Sequence, residues 1–402
     1  MVGLKEKKEK EVKATVNRKE LINMVSQAKV GAAVRGTLPI VQNVLIDANG
    51  KLKVSGFNLE QRVEITDKAQ KTVKVLDRAK ITEKGSVLVN PKMLLDTLKG
   101  LSGDKVQLST KGNNLVVECG GAQTKFTVVP VDDYPVNPAF EEGYRFTAVD
   151  LAEALNKVVQ AIATEGSRPV LNAACLTIKE GKCQLAAADG FRLNIADLKV
   201  KKLSISIVDT IKDDKPIPAL QILVPLGAVR NILKLFANTP EVLVTVSKSK
   251  PKEPNFPAEI HQAVFEADGI QLKTMLIQGT YPNFSQLIPT APEHSCKVST
   301  SELLQAVKLV KGVARDASGI VRLEGGKGKL RIHAKSEVMG ATESVIPCRG
   351  DIKIAANYRY LEEMLGVLDG ESVTLQTSQP SSPILVKEPG LTWVAMPMFV
   401  SW

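Results

Sequence analysis

The six residues VSTSEL (298–303) carry a pattern of residue types that occurs three times in this chain. An apolar residue comes first, followed by a side chain that can cap a helix, two variable residues, an acidic residue and a leucine. The same order is found in VNRKEL (16–21) and in FTAVDL (146–151). A cap side chain accepts hydrogen bonds from the free amides of a first helical turn, and the acid is favoured at the positive helix end. Each copy therefore predicts the start of a helix. The predicted caps are Asn17, Thr147 and Ser299.

Apolar residues follow each of these starts at the spacing of one helix face. The predicted buried faces are Leu21, Met24, Val25 and Ala28, then Leu151, Leu155, Val158 and Ile162, then Leu303, Val307 and Val310. The pattern recurs at intervals far longer than the roughly 20 to 50 residues of solenoid repeats. The repeat therefore predicts three similar domains.

A second repeated signature is a helix, a short turn and an alternating strand. It is found in MLLDTLKGLSGDKVQLST (93–110), VRNILKLFANTPEVLVTV (229–246) and YLEEMLGVLDGESVTLQTS (360–378). Stretches that resemble hairpins with glycine-containing turns lie between the helices, at 44–56, 176–190 and 321–334. We predict an α+β protein with three similar domains, each with two helices packed on antiparallel sheets.

Two segments rich in proline and turn-forming residues divide these domains, at 129–146 and 277–294, and each contains a Tyr-Pro step. The predicted domains are 1–135, with a basic N-terminal extension at 1–11, then 136–280 and 281–402. The polar stretch at 247–257 is predicted to be a surface loop.

The composition favours a protein of a reducing compartment. Five scattered cysteines without a CxxC pair argue against a disulfide scaffold or zinc site, and no apolar run is long enough to span a membrane. The N-terminal residues lack the apolar segment of a secretion signal. A net charge of +10 is compatible with a nucleic-acid partner and also with mere solubility.

Catalytic and phosphate-binding motifs are not found in the sequence. The three histidines are isolated, and the glycine-rich EGGKGKL (324–330) lacks the spacing of a phosphate-binding loop. Asp189 in AAADGFRL is predicted to form a turn, and a hydrolase that uses it as an acid is the alternative from another class. We expect no enzyme activity, no cofactor and no metal.

Four segments, taken in order, resemble the family of bacterial DNA polymerase sliding clamps. They are RGTLPIVQNVLI (35–46), AAADGFRL (186–193), TYPNFSQLIP (280–289) and the ending MPM (396–398). The resemblance implies a homodimeric ring of six domains, with helices around a central hole. It implies a non-catalytic processivity factor in the bacterial cytoplasm, associated with the nucleoid. The implied partners are double-stranded DNA, replicative and repair DNA polymerases, other repair proteins and an ATP-driven clamp loader.

The resemblance also implies a groove that receives short apolar motifs from partners, between the second and third domains. Its expected residues are Leu171, Gly190, Phe191, Arg192, Leu193, Pro282, Gln286, Leu287, Asn357, Tyr360, Val394, Met396, Pro397, Met398, Phe399 and Val400. Phe191, Gln286 and the final Ser401-Trp402 depart from common choices of the family. We therefore expect altered partner preference, with Trp402 touching the bound peptide.

A DNA-contacting surface and a dimer interface complete the expected sites. Arg35 matches a family position associated with DNA contact, and the other basic candidates are inferred from their places on helices. These candidates are Lys99, Lys157, Arg230, Lys234, Lys308 and Lys311. The expected interface residues are Phe126, Val128 and Val313, and a role in its own core is the alternative for Phe126. Two other functions stay open, a clamp paralogue specialised for repair partners and a basic DNA-binding protein that does not encircle DNA.

Overall fold

The computed structural model describes residues 12–34, 38–67, 79–135, 143–179, 182–207, 210–212, 220–248 and 260–402. The candidate Arg35, the N-terminal extension 1–11 and residues 249–257 of the predicted surface loop lie outside this part of the chain.

Six α-helices are found in the described residues, two for each predicted domain. They are α1 (Arg18–Ala28), α2 (Pro91–Gly100), α3 (Leu151–Val158), α4 (Leu226–Leu235), α5 (Thr300–Asp316) and α6 (Tyr358–Leu365).

Short strands make up most of the remaining structure. In chain order they are β1 (Lys13–Asn17), β2 (Val44–Asp47), β3 (Lys53–Phe57), β4 (Gln61–Thr66), β5 (Lys80–Glu83), β6 (Ser86–Val89), β7 (Lys105–Lys111), β8 (Asn114–Cys119), β9 (Ala122–Thr127), β10 (Gly143–Val149), β11 (Ala173–Lys179), β12 (Lys182–Ala188), β13 (Arg192–Asp197), β14 (Lys199–Ile207), β15 (Thr210–Lys212), β16 (Leu220–Pro225), β17 (Glu241–Lys248), β18 (Ile260–Ala267), β19 (Ile270–Met275), β20 (His294–Ser299), β21 (Ile320–Gly326), β22 (Lys329–Ser336), β23 (Gly340–Pro347), β24 (Arg349–Gly350), β25 (Ile352–Asn357), β26 (Ser372–Thr377), β27 (Ile384–Glu388) and β28 (Leu391–Ala395).

The chain forms two compact units. The first contains the described residues within 1–148, 201–217 and 234–276. Its five-stranded sheet has the order β5-β1-β7-β8-β9, and its ten-stranded sheet has the order β15-β14-β10-β17-β18-β19-β4-β3-β2-β6, with only the ends of β10 and β14 outside the unit. Strand β19 pairs with β4, so this sheet continues across the predicted boundary between the first and second domains.

The second unit contains the described residues within 149–200, 218–233 and 277–402. Its nine-stranded sheet has the order β16-β11-β12-β13-β28-β27-β26-β20-β24, and its four-stranded sheet has the order β23-β22-β21-β25. Strand β13 pairs with β28 in antiparallel register, so this sheet joins the predicted second and third domains. The groove that the resemblance implies therefore falls within one unit.

Two of the three predicted helix caps are confirmed. Asn17 accepts from the backbone N–H groups of Lys19 and Glu20, and Ser299 accepts from that of Glu302. The cap prediction for Thr147 is wrong, because the buried and half-buried residues of β10 keep alternating through Val149. The first helix of the second domain therefore begins at Leu151, one turn later than its counterparts.

The predicted hairpins and helix faces are confirmed where the structure describes them. Strand β2 pairs with β3, β11 with β12, and β21 with β22, all in antiparallel register. The apolar faces predicted for the three first helices are buried, although Ile162 follows the end of α3. All five cysteines are buried free thiols.

Candidate functional site

A tight turn between β12 and β13 forms the first part of the candidate groove. The Asp189 carboxylate accepts from the backbone N–H groups of Phe191, at 2.9 Å, and Arg192, at 3.0 Å. Gly190 has φ +92°, a conformation that glycine adopts without strain. Asp189 therefore holds the turn, as predicted, and both of its carboxylate oxygens have partners within the turn.

The Arg192 side chain joins this turn to the predicted third domain. Its Nε donates to the second Asp189 oxygen at 2.9 Å, and its terminal nitrogens contact the Glu363 carboxylate and the Gln160 carbonyl oxygen. The guanidinium carbon lies 4.4 Å from the centre of the Tyr360 ring, within the range of a cation–π contact. Burial, and then the Asp189 charge, raise the pKa of Tyr360, while the Arg192 charge acts in the opposite direction.

The residues that follow β28 form the second part of the candidate groove. We call residues 396–402 the C-terminal segment. Met396 donates its backbone N–H to the carbonyl oxygen of Phe191, and Met398 donates to that of Ala355 on β25, both at 2.8 Å. The C-terminal segment is therefore bonded to the turn on one side and to the four-stranded sheet on the other.

A buried apolar cluster links the two parts. Leu171, Leu193 and Val394 belong to it with 5%, 2% and 4% of their surface exposed. Tyr281, from the linker between the second and third domains, belongs to the same cluster, and its ring meets Phe284 edge to face at 6.2 Å. Leu171, Leu193 and Val394 thus lie beneath the surface of the groove that the resemblance implies.

Four large apolar side chains of the candidate set are exposed to solvent in the single chain. The exposed fractions are 63% for Phe191, 55% for Leu287, 44% for Met396 and 86% for Phe399. Exposed apolar side chains of this size are typical of surfaces that receive a partner. The structure therefore combines a buried apolar cluster with solvent-exposed aromatic and methionine side chains.

The remaining groove candidates differ in their surroundings. Gln286 is exposed in the 3-10 turn Phe284–Leu287, and Pro282 is exposed two residues before it. Pro397 is buried, and Met398 and Val400 are half-buried. Asn357 caps α6 by accepting from the N–H of Arg359 at 2.9 Å.

Glu363 and Ala355 are not among the residues predicted from the sequence. Glu363 lies one helical turn after Tyr360 on α6, and this spacing could have indicated it. Ala355 contributes only a backbone carbonyl, so no side-chain signal points to it.

Trp402 contacts the same sheet as Met398. The Lys353 ammonium lies 4.8 Å from the centre of the Trp402 indole, so a cation–π contact holds the last residue near β25. About half of the Trp402 residue is exposed, at 47%. A contact between Trp402 and a bound peptide stays a prediction.

The basic candidates fall into two groups by their surroundings. Lys99, Arg230, Lys234 and Lys308 have exposed side chains on α2, α4 and α5. Lys157 pairs with Glu153, and Lys311 pairs with Glu362, each at 2.8 Å. The two paired lysines are therefore partly neutralised, while the four exposed residues keep their charge facing solvent.

The candidate interface residues lie partly within their own cores. Phe126 on β9 is 6% exposed and faces Leu115 across the strand pair. Val128 and Val313 are half-buried, and Val313 packs against the core beneath α5. Strand β9 lies at one edge of the five-stranded sheet.

Neither a metal-binding cluster nor a membrane-spanning helix is seen in the described part of the chain. Its histidine, cysteine, aspartate and glutamate side chains form no group of three or more that could hold a metal ion. No helix built from its residues has the length and apolar character needed to cross a membrane.

Comparison with known proteins gives three matching domain families, in chain order. Residues 12–138 match the N-terminal domain of the DNA polymerase III beta subunit. Residues 147–283 match the central domain and residues 285–398 match the C-terminal domain of the same subunit.

Individual relatives match over nearly the whole chain. The beta sliding clamp of Staphylococcus aureus is 23% identical over 385 residues, which cover 94% of this chain and 95% of that protein. The DNA polymerase sliding clamp structure from Bacillus subtilis has a TM-score of 0.83 at 20% identity, covering 97% of this chain and 100% of that one. A sliding clamp from Bartonella birtlesii, solved bound to griselimycin, has a TM-score of 0.82 at 22% identity with the same coverage. The predicted three-domain α+β fold is thereby confirmed.

Proposed function

This chain belongs to the family of DNA polymerase III beta subunits, which are sliding clamps without catalytic activity, and we propose that two copies close into a ring around duplex DNA. In this proposal the ring works in the bacterial cytoplasm, on the nucleoid. It tethers replicative and repair polymerases, which dock through short apolar motifs. A tether raises the local concentration of the polymerase at the primer end, so synthesis continues without a tight polymerase–DNA contact.

The placement of the C-terminal segment is the observation that carries the docking proposal. The segment is bonded to Phe191 and to Ala355, next to the buried cluster of Leu171, Leu193 and Val394. Apolar side chains of a partner peptide would cover the exposed parts of Phe191 and Met396, and each Å² of apolar surface removed from water stabilises the complex by about 25 cal/mol. Methionine side chains adapt to differently shaped ligands, which suits a site that serves several partners.

The DNA contact of a sliding ring has to be electrostatic and independent of sequence. The exposed basic residues on α2, α4 and α5 fit such a contact, because long side chains on helices can reach phosphates without reading base edges. The net charge of +10 acts in the same direction. We place Lys99, Arg230, Lys234 and Lys308 on this surface, together with Arg35 from the resemblance.

Ring closure requires two surfaces on each copy that can bind the other copy. Strands β9 and β23 are edges of their sheets among the described strands, and an edge strand can extend a sheet into a neighbouring chain. Large exposed apolar side chains lie on or beside β23 and on α5. They are Leu309, Val338, Met339 and Val345. We propose that β9 of one copy meets β23 of the other, with Phe126, Val128 and Val313 beside the contact.

A topological experiment tests the ring. The protein is loaded onto nicked circular DNA with a clamp loader and ATP, and the DNA is then cut once. We expect retention on the circle and rapid release after cutting, since a ring slides off a free end. A basic DNA-binding protein that does not encircle would leave circular and linear DNA at the same rate, and that outcome would contradict the proposal. Light scattering that finds only monomer at micromolar concentration would also count against it.

A further inference from the structure

Two cationic side chains face each other across the β4–β19 strand pair of the first unit. Lys273 stands directly opposite Arg62 in the antiparallel register. Like charges in directly opposed positions destabilise a sheet. Glu64 offsets this only in part, because it pairs with Lys53 at 2.9 Å as well as with Arg62 at 3.6 Å. Lys53 and Arg62 thus share the Glu64 carboxylate, while Glu266, on the same face of β18, accepts from the Gln271 side chain.

Not all N–H groups of the Arg62 side chain have a hydrogen-bond acceptor. One terminal nitrogen donates to the Ser55 hydroxyl at 3.0 Å, but Nε is buried and has no hydrogen-bond partner among the described residues. Buried donors without a partner are rare in folded proteins. Burial and the neighbouring Arg62 charge lower the pKa of Lys273, which agrees with a crowded cationic environment. Among the described residues Lys273 therefore has no ion-pair partner, and Arg62 shares Glu64 with Lys53.

Exposed apolar side chains lie at the end of the same strand pair. Met275 is 42% exposed and Leu59 is 48% exposed. The N–H of Met275 donates to the carbonyl oxygen of Glu60 at 2.9 Å, which fixes β19 beside the turn that carries Leu59. Alternation along β19 puts Met275 on the same sheet face as Lys273.

The backbone of this turn is strained at Leu59. Leu59 has φ +78°, which is unusual for a large non-glycine residue. The Asn58 side chain stabilises the turn by accepting from the N–H groups of Glu60, at 3.1 Å, and Gln61, at 2.7 Å. Backbone strain of this kind persists only where the surroundings impose it, and it often marks functional positions.

We propose that these residues, the basic–apolar patch of Lys53, Leu59, Arg62, Lys273 and Met275, bind a partner-protein segment in which acidic side chains stand next to apolar ones. Charge complementarity selects the occupant. A carboxylate of the partner would pair with Arg62 and Lys273, while its apolar neighbour would cover Met275 and Leu59. A DNA backbone offers phosphates but no apolar group for these two side chains, so the patch fits a peptide better. All five residues belong to the first unit, whereas the groove residues belong to the second.

A fluorescein-labelled heptapeptide tests the patch in full-length protein. Its sequence is Gly-Glu-Glu-Leu-Phe-Glu-Gly, and its counterpart has lysine in place of every glutamate. We expect the acidic peptide to bind and the basic one to fail, with about fivefold weaker binding to Lys273→Gln, since one charge-assisted contact is lost. The control Lys84→Gln removes an exposed lysine elsewhere and should bind like the wild-type protein. Thermal unfolding should show Lys273→Gln to be at least as stable as the wild-type protein, because the substitution removes the opposed charge.

Two further measurements locate the binding. Hydrogen exchange with the acidic peptide should show protection in residues 59–66 and 270–276, and a chain ending at Ala395 should bind it unchanged. No binding of the acidic peptide, or equal affinity for Lys273→Gln, would overturn the proposal. Loss of binding on truncation would assign the peptide to the groove instead. Protection of the same residues by a duplex oligonucleotide but not by the peptide would assign the patch to DNA.

Discussion

Met398 donates its backbone N–H to the carbonyl oxygen of Ala355 at 2.8 Å, two residues after Met396 makes the same kind of bond to Phe191. These two bonds hold the C-terminal segment between parts of the chain that lie far apart in sequence. Chain ends without such contacts usually fray. The apolar ending of the chain is thus placed by backbone hydrogen bonds, and it contributes exposed side chains at Met396 and Phe399.

Removal of the C-terminal segment is expected to weaken the binding of a partner peptide. We predict that a chain ending at Ala395 binds a polymerase-tail peptide at least about tenfold more weakly. A tenfold loss of affinity corresponds to about 1.4 kcal/mol of binding free energy, which the lost apolar and backbone contacts are sufficient to supply. Met398→Pro, which lacks the N–H donor, should lose affinity in the same direction, whereas Ser401→Pro should not. Fluorescence anisotropy measures all three. Equal affinity for the truncated and full-length chains would contradict the groove.

Arg192 is expected to contribute to stability as well as to the groove. Its side chain is 10% exposed and pairs with the 17% exposed Asp189 carboxylate. We predict that Arg192→Ala lowers the free energy of unfolding by about 2–3 kcal/mol, since breaking a largely buried pair leaves a carboxylate with fewer partners. Arg192→Lys should recover only part of this loss, because lysine lacks the planar guanidinium fork that reaches several acceptors while it lies over the Tyr360 ring.

Urea unfolding of the two Arg192 variants measures the effect, with Arg349→Ala as the control. Arg349 is exposed, so its substitution should change the free energy of unfolding by less than about 0.5 kcal/mol. A loss for Arg192→Ala that is no larger than for Arg349→Ala would show that the Arg192 contacts do not stabilise the fold.

Local signals in the sequence predicted most of the fold. Asn17 and Ser299 act within three residues of themselves, so their caps could be identified without knowledge of the remaining structure. Thr147 has the same local pattern, but the pairing of β10 in a sheet decides its conformation, and that pairing is not visible in a single helix-start motif. Tertiary context therefore overrode the local signal at this one position.

The candidate site was less predictable for the same reason. The Asp-Gly turn at 189–190 is a local motif and was predicted correctly. The contact of Arg192 with Glu363 joins residues far apart in sequence, and the bond from Met398 to Ala355 uses a backbone carbonyl, which any residue type supplies. Such contacts follow from sheet register, so only the folded chain reveals them.

Tyr134 is expected to make stability fall at alkaline pH. It is buried with Phe57 and Leu88, and burial raises the pKa of its hydroxyl to about 12, against an opposing effect of the Arg62 charge. Below pH 10 the phenol is protonated in both the folded and unfolded states, so its contribution is fully present. As the pH rises towards 12, only the unfolded state ionises, and the contribution is lost. We predict that from pH 9 to pH 11 the wild-type protein loses about 1.4 kcal/mol more than Tyr134→Phe.

Urea unfolding of both proteins at pH 9 and pH 11 tests this prediction. Comparison with the variant cancels the titration of lysines and of Tyr281, whose pKa burial also raises. The same decrease in both proteins would show that Tyr134 ionises equally well in the folded state.

Gly56 lies on strand β3, and we expect that only glycine at this position lets the end of helix α1 approach the strand so closely. A Cβ atom at this position would lie 2.2 Å from the Ala28 carbonyl oxygen and 2.7 Å from the Ala32 nitrogen, both backbone atoms that cannot rotate away. We predict that Gly56→Ala lowers the free energy of unfolding by about 3 kcal/mol or more, because overpacking against backbone forces the helix and strand apart. Gly100→Ala is the matched control, since open space surrounds its Cβ position at the end of α2. That variant should be neutral or up to about 1 kcal/mol more stable. Equal stabilities of the two variants in urea unfolding would show that α1 and β3 do not need this close contact.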